Sequence, residues 1–139
     1  MVDRERVDRL LARLVADLRV LDGHRAQAEG LLADPTALAA VKYHFITAIE
    51  GCARVAHHLI SAEGWAVAES NADALRRLGS YGALEPATAS ALAATVGLRN
   101  LLVHQYADVD DRRVVENLDR VGDLDDFVRQ VAGWVANSD

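Results

Sequence analysis

Apolar residues recur at three- and four-residue steps along this chain, and its many valines keep that spacing rather than the alternation of a strand. The step matches the 3.6-residue turn of an α-helix, so each stretch presents one apolar stripe to a core. Val7, Leu10, Leu11, Leu14, Leu18 and Leu21 make the first stripe. Leu38, Val41, Phe45, Ile49, Cys52, Ala56 and Leu59 make the second. Apolar residues are 51% of the chain but aromatics only 5%, so the core is built from Leu, Val and Ala, which suits helices. With only two prolines, long uninterrupted helices are possible.

Local signals set the boundaries. The first helix starts near Asp3, and Asp22-Gly23 bends or interrupts it before Leu31 and Leu32 resume apolar contact. Asp34-Pro35 opens the second, with Asp as N-cap and Pro in the first turn; it runs to about Ser61, with Gly64 as stop. Ser70 or Asn71 caps a short third helix carrying Leu75 and Leu78 and ending at Gly79, after which Gly82 keeps the loop flexible. Glu85-Pro86 opens a fourth helix reaching about Tyr106. Asp110 caps the fifth, where Val114, Leu118, Val121, Leu124, Val128, Val131 and Val135 repeat. Four long helices and one short one predict an all-α, antiparallel up-and-down bundle, one domain over residues 1–139.

Composition narrows the function. A lone cysteine, Cys52, excludes an internal disulfide and a Cys-based metal cluster, and it reads as a small core residue. No apolar run is long enough to span a bilayer and the charged N-terminus has no signal-peptide pattern, so a cytoplasmic protein is expected. The net charge of −6 argues against a broad nucleic-acid-binding surface but not against a local cationic site. Acid gathers late, in Asp108, Asp110, Asp111, Glu116, Asp119, Asp123, Asp125 and Asp126, as a solvated outer face or a docking surface for a basic partner.

The chemistry-bearing stretch is Arg99-Asn-Leu-Leu-Val-His-Gln-Tyr106. It places a guanidinium, a carboxamide, an imidazole and a phenol in two turns of an otherwise apolar helix. Buried alone, each polar group would cost about 1–3 kcal/mol, so partners or a function are required. Arg binds phosphate oxygens with a fixed fork of donors, and imidazole moves protons near neutral pH. On a continuous helix Arg99 and Tyr106 superpose, as do Asn100 and His104, so all four occupy one arc of less than half the circumference. Arg99 and His104 are not ideal neighbours on one helix; a two-fold partner would bring a second pair opposite the first. Arg99 also has a purely structural use as an ion-pair partner of Glu50.

The stretch resembles the signature of HEPN-domain ribonucleases, an Arg followed after a few residues by His, with a polar residue after the Arg. Tyr106, two residues after His104, resembles the HepT branch of bacterial toxins, as do Tyr43–Glu50, Ala56–Ile60 and Asp108–Asp110. The resemblance runs from about residue 36 to the end. It implies a HEPN-like fold and a metal-independent endoribonuclease toxin. Arg99 and His104 would be catalytic and Asn100 supporting, leaving products with a 2′,3′-cyclic phosphate and a 5′-hydroxyl. It implies no cofactor and RNA rather than DNA as substrate; the need for paired catalytic groups implies a homodimer, within a larger hetero-oligomer or alone. It also implies a cognate MntA-like nucleotidyltransferase antitoxin that adenylylates Tyr106. Leu101 and Gln105 depart from the commoner Arg and Asp of the motif, and Arg54 stands where an acidic residue is usual. The alternative is a non-catalytic helical module binding a nucleotide or a protein.

Three further histidines invite a metal reading, but His57 and His58 point about 100° apart on a helix, and no acidic or thiol ligand sits beside them at zinc-like spacing. Glu50, Arg54 and His58 step by four along one face, which would carry His58 towards the cleft.

Overall fold

The computed structural model describes residues 1–138; Asp139, the last residue of the expected domain, lies outside the described residues. The helices are α1 (Arg4–Arg25), α2 (Ala28–Leu31), α3 (Pro35–Glu63), α4 (Asn71–Ser80), α5 (Pro86–His104), α6 (Asp111–Glu116) and α7 (Val121–Ala136), with a 3₁₀ turn over Asn117–Arg120. Among the described residues every regular element is helical.

Side-chain caps fix four of the starts. Asp3 accepts from the Arg6 amide, Asp34 from Ala37, Ser70 from Asp73 and Asp110 from Arg112, each at 3.0–3.1 Å. Of the two candidate caps for the short helix, Ser70 is therefore the one used. α3 stops where Gly64 turns left-handed at φ 68°, and the Trp65 amide closes back onto the Ile60 carbonyl at 3.0 Å. Trp65 then stacks on Tyr81 with ring centroids 4.4 Å apart and meets the edge of Trp134, which pins the connection to α4.

Long-range contacts give the direction of the helices. The Asp3 amide donates to His58 and His44 meets Asp17, so α1 ascends as α3 descends. On the other side of α3, Glu50 meets Arg99 and Lys42 meets Tyr106, so α5 is also antiparallel to it. α3 is thus the central helix, between α1 and the α4–α5 hairpin, with α7 closing the bundle against α1 and α5. The expected stripes of α1 and α3 are buried, except that Leu10 is only partly covered. Burial also pushes the Cys52 thiol up, as suits a core residue.

Three expectations are corrected. Asp22-Gly23 does not interrupt α1, which continues to Arg25. Gly79 does not end α4; the helix runs one residue further, and Gly79 lies where α4 passes close over Ala89 of α5. The last helix is broken. Leu118, Val121 and Leu124 follow one another at steps of three, the period of the 3₁₀ turn that joins α6 to α7. After it the buried face runs through Phe127, which is fully buried, while Val128 is only partly covered.

Candidate active site

α5 presents Arg99 on the side facing α3. Arg99 Nε and Nη2 donate to Glu50 Oε1 at 3.1 and 2.8 Å, and Nη1 donates to Asn100 Oδ1 at 3.1 Å. The guanidinium plane is thereby held by its fork, with N–H donors on both Nη atoms left for another acceptor. The ion pair expected of Arg99 is formed, and Glu50 fixes the orientation of the guanidinium. Asn100 braces Arg99.

His104 is the last residue of α5 and is exposed. Among the described residues its ring makes no hydrogen bond to another side chain or to backbone, so both nitrogens are open to a substrate. Five helical residues place it about 140° round and about 7.5 Å along from Arg99. Arg99 and Asn100 are joined; His104 stands apart from them, further along the helix.

Tyr106 departs from the sequence reading. α5 ends at His104, the Gln105 amide closes the last turn onto the Leu101 carbonyl at 2.8 Å, and a turn follows. Tyr106 therefore does not superpose on Arg99. Its ring lies instead over Lys42 of α3, with Nζ 4.6 Å from the centroid, and it remains 44% exposed. The Lys42 ammonium also pairs with Asp111 of α6 at 2.8 Å, although Lys42 itself is buried at 8% exposure. Sequence reasoning missed Lys42. The signal was its place within the apolar stripe, four residues after Leu38 and three before Phe45, where a lysine has to reach a partner with its tip.

The histidine of α3 that faces the site is His57, not His58. A recess of about 220 Å³ is lined by Glu50, Ala53, Arg54, His57, Asn71 and Arg99. His57 Nε2 lies 2.9 Å from Asn71 Oδ1, which bridges α3 to α4. His58 turns to α1 and accepts from the Asp3 amide at 3.2 Å. Burial chiefly, and then the positive charge of Arg6, holds its imidazole below the usual value. His44 takes a third direction, to Asp17 at 2.8 Å. Among the described residues no group of three or more His, Cys, Asp or Glu side chains is placed to hold a metal ion.

A model of one protein family, described as ribonuclease HepT-like, matches residues 4–131, from the start of α1 into α7. The chain belongs to the ribonuclease HepT-like family. The match takes in Arg99, Asn100, His104 and Tyr106, and it begins well before the segment where the resemblance was legible. This HepT-like chain is also 39% identical over 57 residues to a tRNA nuclease HepT of Aphanizomenon flos-aquae. That segment is 41% of this chain and spans only 39% of the relative's length. Among solved structures it resembles a tri-AMPylated Shewanella oneidensis HEPN toxin in complex with an MNT antitoxin, at TM-score 0.85 and 19% identity, over 96% of this chain and 99% of that one. It resembles YutE of Bacillus subtilis, a cytosolic protein of unknown function, at TM-score 0.84 and 18% identity, over 96% and 91% of the two chains. At these identities the likeness is one of fold, and the HepT-like helical bundle is the HEPN fold. Among the described residues no helix is long and apolar enough to cross a membrane.

Proposed function

We propose that this chain is a metal-independent endoribonuclease, the toxin of a toxin–antitoxin pair. The observation that carries the reading is a pre-oriented Arg99 with unmatched donors on the same helix as an open His104, in a chain of the ribonuclease HepT-like family. RNA brings its own nucleophile in the 2′-hydroxyl. An imidazole of His104 takes the 2′-hydroxyl proton as the 2′-oxygen bonds to phosphorus, and the bond from phosphorus to the 5′-oxygen breaks. A second imidazole, His104 of another copy across a two-fold axis, gives the leaving 5′-oxygen its proton. Arg99 meets the charge growing on the non-bridging oxygens. The products are a 2′,3′-cyclic phosphate and a 5′-hydroxyl.

Control falls on Tyr106. A nucleotidyltransferase antitoxin of the MntA kind would join the Tyr106 oxygen to the α-phosphorus of ATP, releasing pyrophosphate and the phenolic proton. The adduct sets a bulky, negatively charged phosphodiester beside Lys42 at the end of α5, where it competes with RNA. The relative solved as an AMPylated toxin with its antitoxin supports this reading.

The test is cleavage of end-labelled RNA in EDTA by protein whose intact mass shows no adduct. The parent is expected to cut, and His104→Ala and Arg99→Ala to stay folded and lose about 10²-fold or more in rate. A folded, unmodified parent that binds RNA without cutting any RNA class would replace the enzyme with a binding module.

A further inference from the structure

α3 separates two recesses that share Glu50 and Arg54. The one described above opens towards α4 and α5. The other, of about 140 Å³, opens towards α1 and includes Arg13, Asp17, Thr47 and Gly51. Glu50 and Arg54 form the ridge between them, so a strand crossing from one recess to the other passes over the Arg54 side chain.

The charges lining this track are unevenly matched. Its two carboxylates are taken, Asp17 by His44 and Glu50 by Arg99, each at 2.8 Å. Arg13 and Arg54 are exposed, and among the described residues neither has a carboxylate within ion-pair distance. The α1 and α3 walls thus carry two guanidinium groups without an ion-pair partner among the described residues, in a protein whose net charge is −6. The acid-rich face of α7 would repel a polyanion, while this track would attract one.

We propose that Arg13 and Arg54 form a phosphate subsite that holds the RNA backbone beside the scissile position, leading the strand from Arg99 across α3 towards α1. The inference rests on the ribonuclease reading. Guanidinium forks suit phosphate oxygens, and Arg54, lining both recesses, is the hinge between the cleavage position and the outer contact.

The experiment uses the full chain carrying His104→Ala, so that RNA stays intact, with a fluorescent single-stranded RNA and anisotropy read at several salt concentrations. Each single-strand phosphate contact contributes about 0.7 to the slope of log affinity against log salt. Adding Arg13→Ala and Arg54→Ala together is expected to lower that slope by about 1.4, with affinity down roughly tenfold at low salt. Arg54→Lys, which keeps the charge, is expected to restore its share of the slope. Both side chains are exposed, and circular dichroism checks that the variants fold. Parent-like affinity and slope in the double variant would overturn the subsite while leaving the ribonuclease reading in place. Unchanged RNA binding with weakened binding of the antitoxin would assign the arginines to a protein interface and likewise overturn it. A parent that neither binds nor cuts RNA would overturn both readings.

Discussion

Replacing Gly79 with alanine sets interhelical packing against helix propensity at one position. A Cβ built on Gly79 would lie 2.7 Å from Ala89 Cβ and 3.8 Å from Pro86 Cα. Real Cβ atoms essentially never approach below 3.0 Å, and the obstacle is a methyl fixed to α5, with no flexible chain to swing away. α4 and α5 would have to part by several tenths of an ångström, and such overpacking costs about 1–3 kcal/mol. Propensity favours alanine over glycine by at most about 1 kcal/mol, and less near a helix end. The net expectation is a loss of about 1–2 kcal/mol. Gly133→Ala is the matched control: it is exposed on α7, with nothing within 4 Å of its built Cβ, so it is expected to gain up to about 1 kcal/mol. Urea unfolding of both variants gives the signs as opposite shifts of the midpoint at constant m. Equal stabilisation by the two substitutions would refute the close approach of α4 to α5, and with it the seating of the hairpin that carries Asn71 and Arg99.

Lys42→Met keeps the aliphatic stem but removes the ammonium that pairs with Asp111 and lies under Tyr106. Loss of about 1–2 kcal/mol of local stability should make amide exchange roughly tenfold faster over residues 105–116, with Lys42→Arg closer to the parent; unchanged protection would refute the clamp. The imidazole of His58 is held below its ordinary value of 6.5 in the folded chain, so the unfolded chain binds the proton more readily. Its contribution is therefore full above about pH 6.5 and is lost as pH falls through the folded value. The unfolding midpoint of the parent should drop between pH 7.5 and 5 more steeply than that of His58→Asn; parallel profiles would show that protonating this ring does not cost the folded chain stability.

Much of the fold was legible because its signals are local. A cap needs only a side chain and the amides two or three residues on, so Asp3, Asp34 and Asp110 announced their helices. Steps of three and four marked the buried faces of α1 and α3. The ion pair of Arg99 with Glu50 was legible too, because both are charges set beside apolar positions that have to find a partner. The errors arose where a neighbouring helix decides. Continuous periodicity carried α5 on to Tyr106, yet the ring is better placed over the buried Lys42 than one turn further along a helix. His57 and His58 are adjacent in sequence, but α4 offers Asn71 to one and α1 offers the Asp3 amide to the other.

By itself the sequence determined the helical class, most of the helix starts and the Arg-to-His motif, since each is set by residues within a turn or two of one another. Only the tertiary structure decided that α3 lies between α1 and α5, that Lys42 rather than α5 positions Tyr106, and that Arg13 and Arg54 border one track. Those outcomes depend on the register of one helix against another, which the summed packing of the whole core sets and no local spacing records.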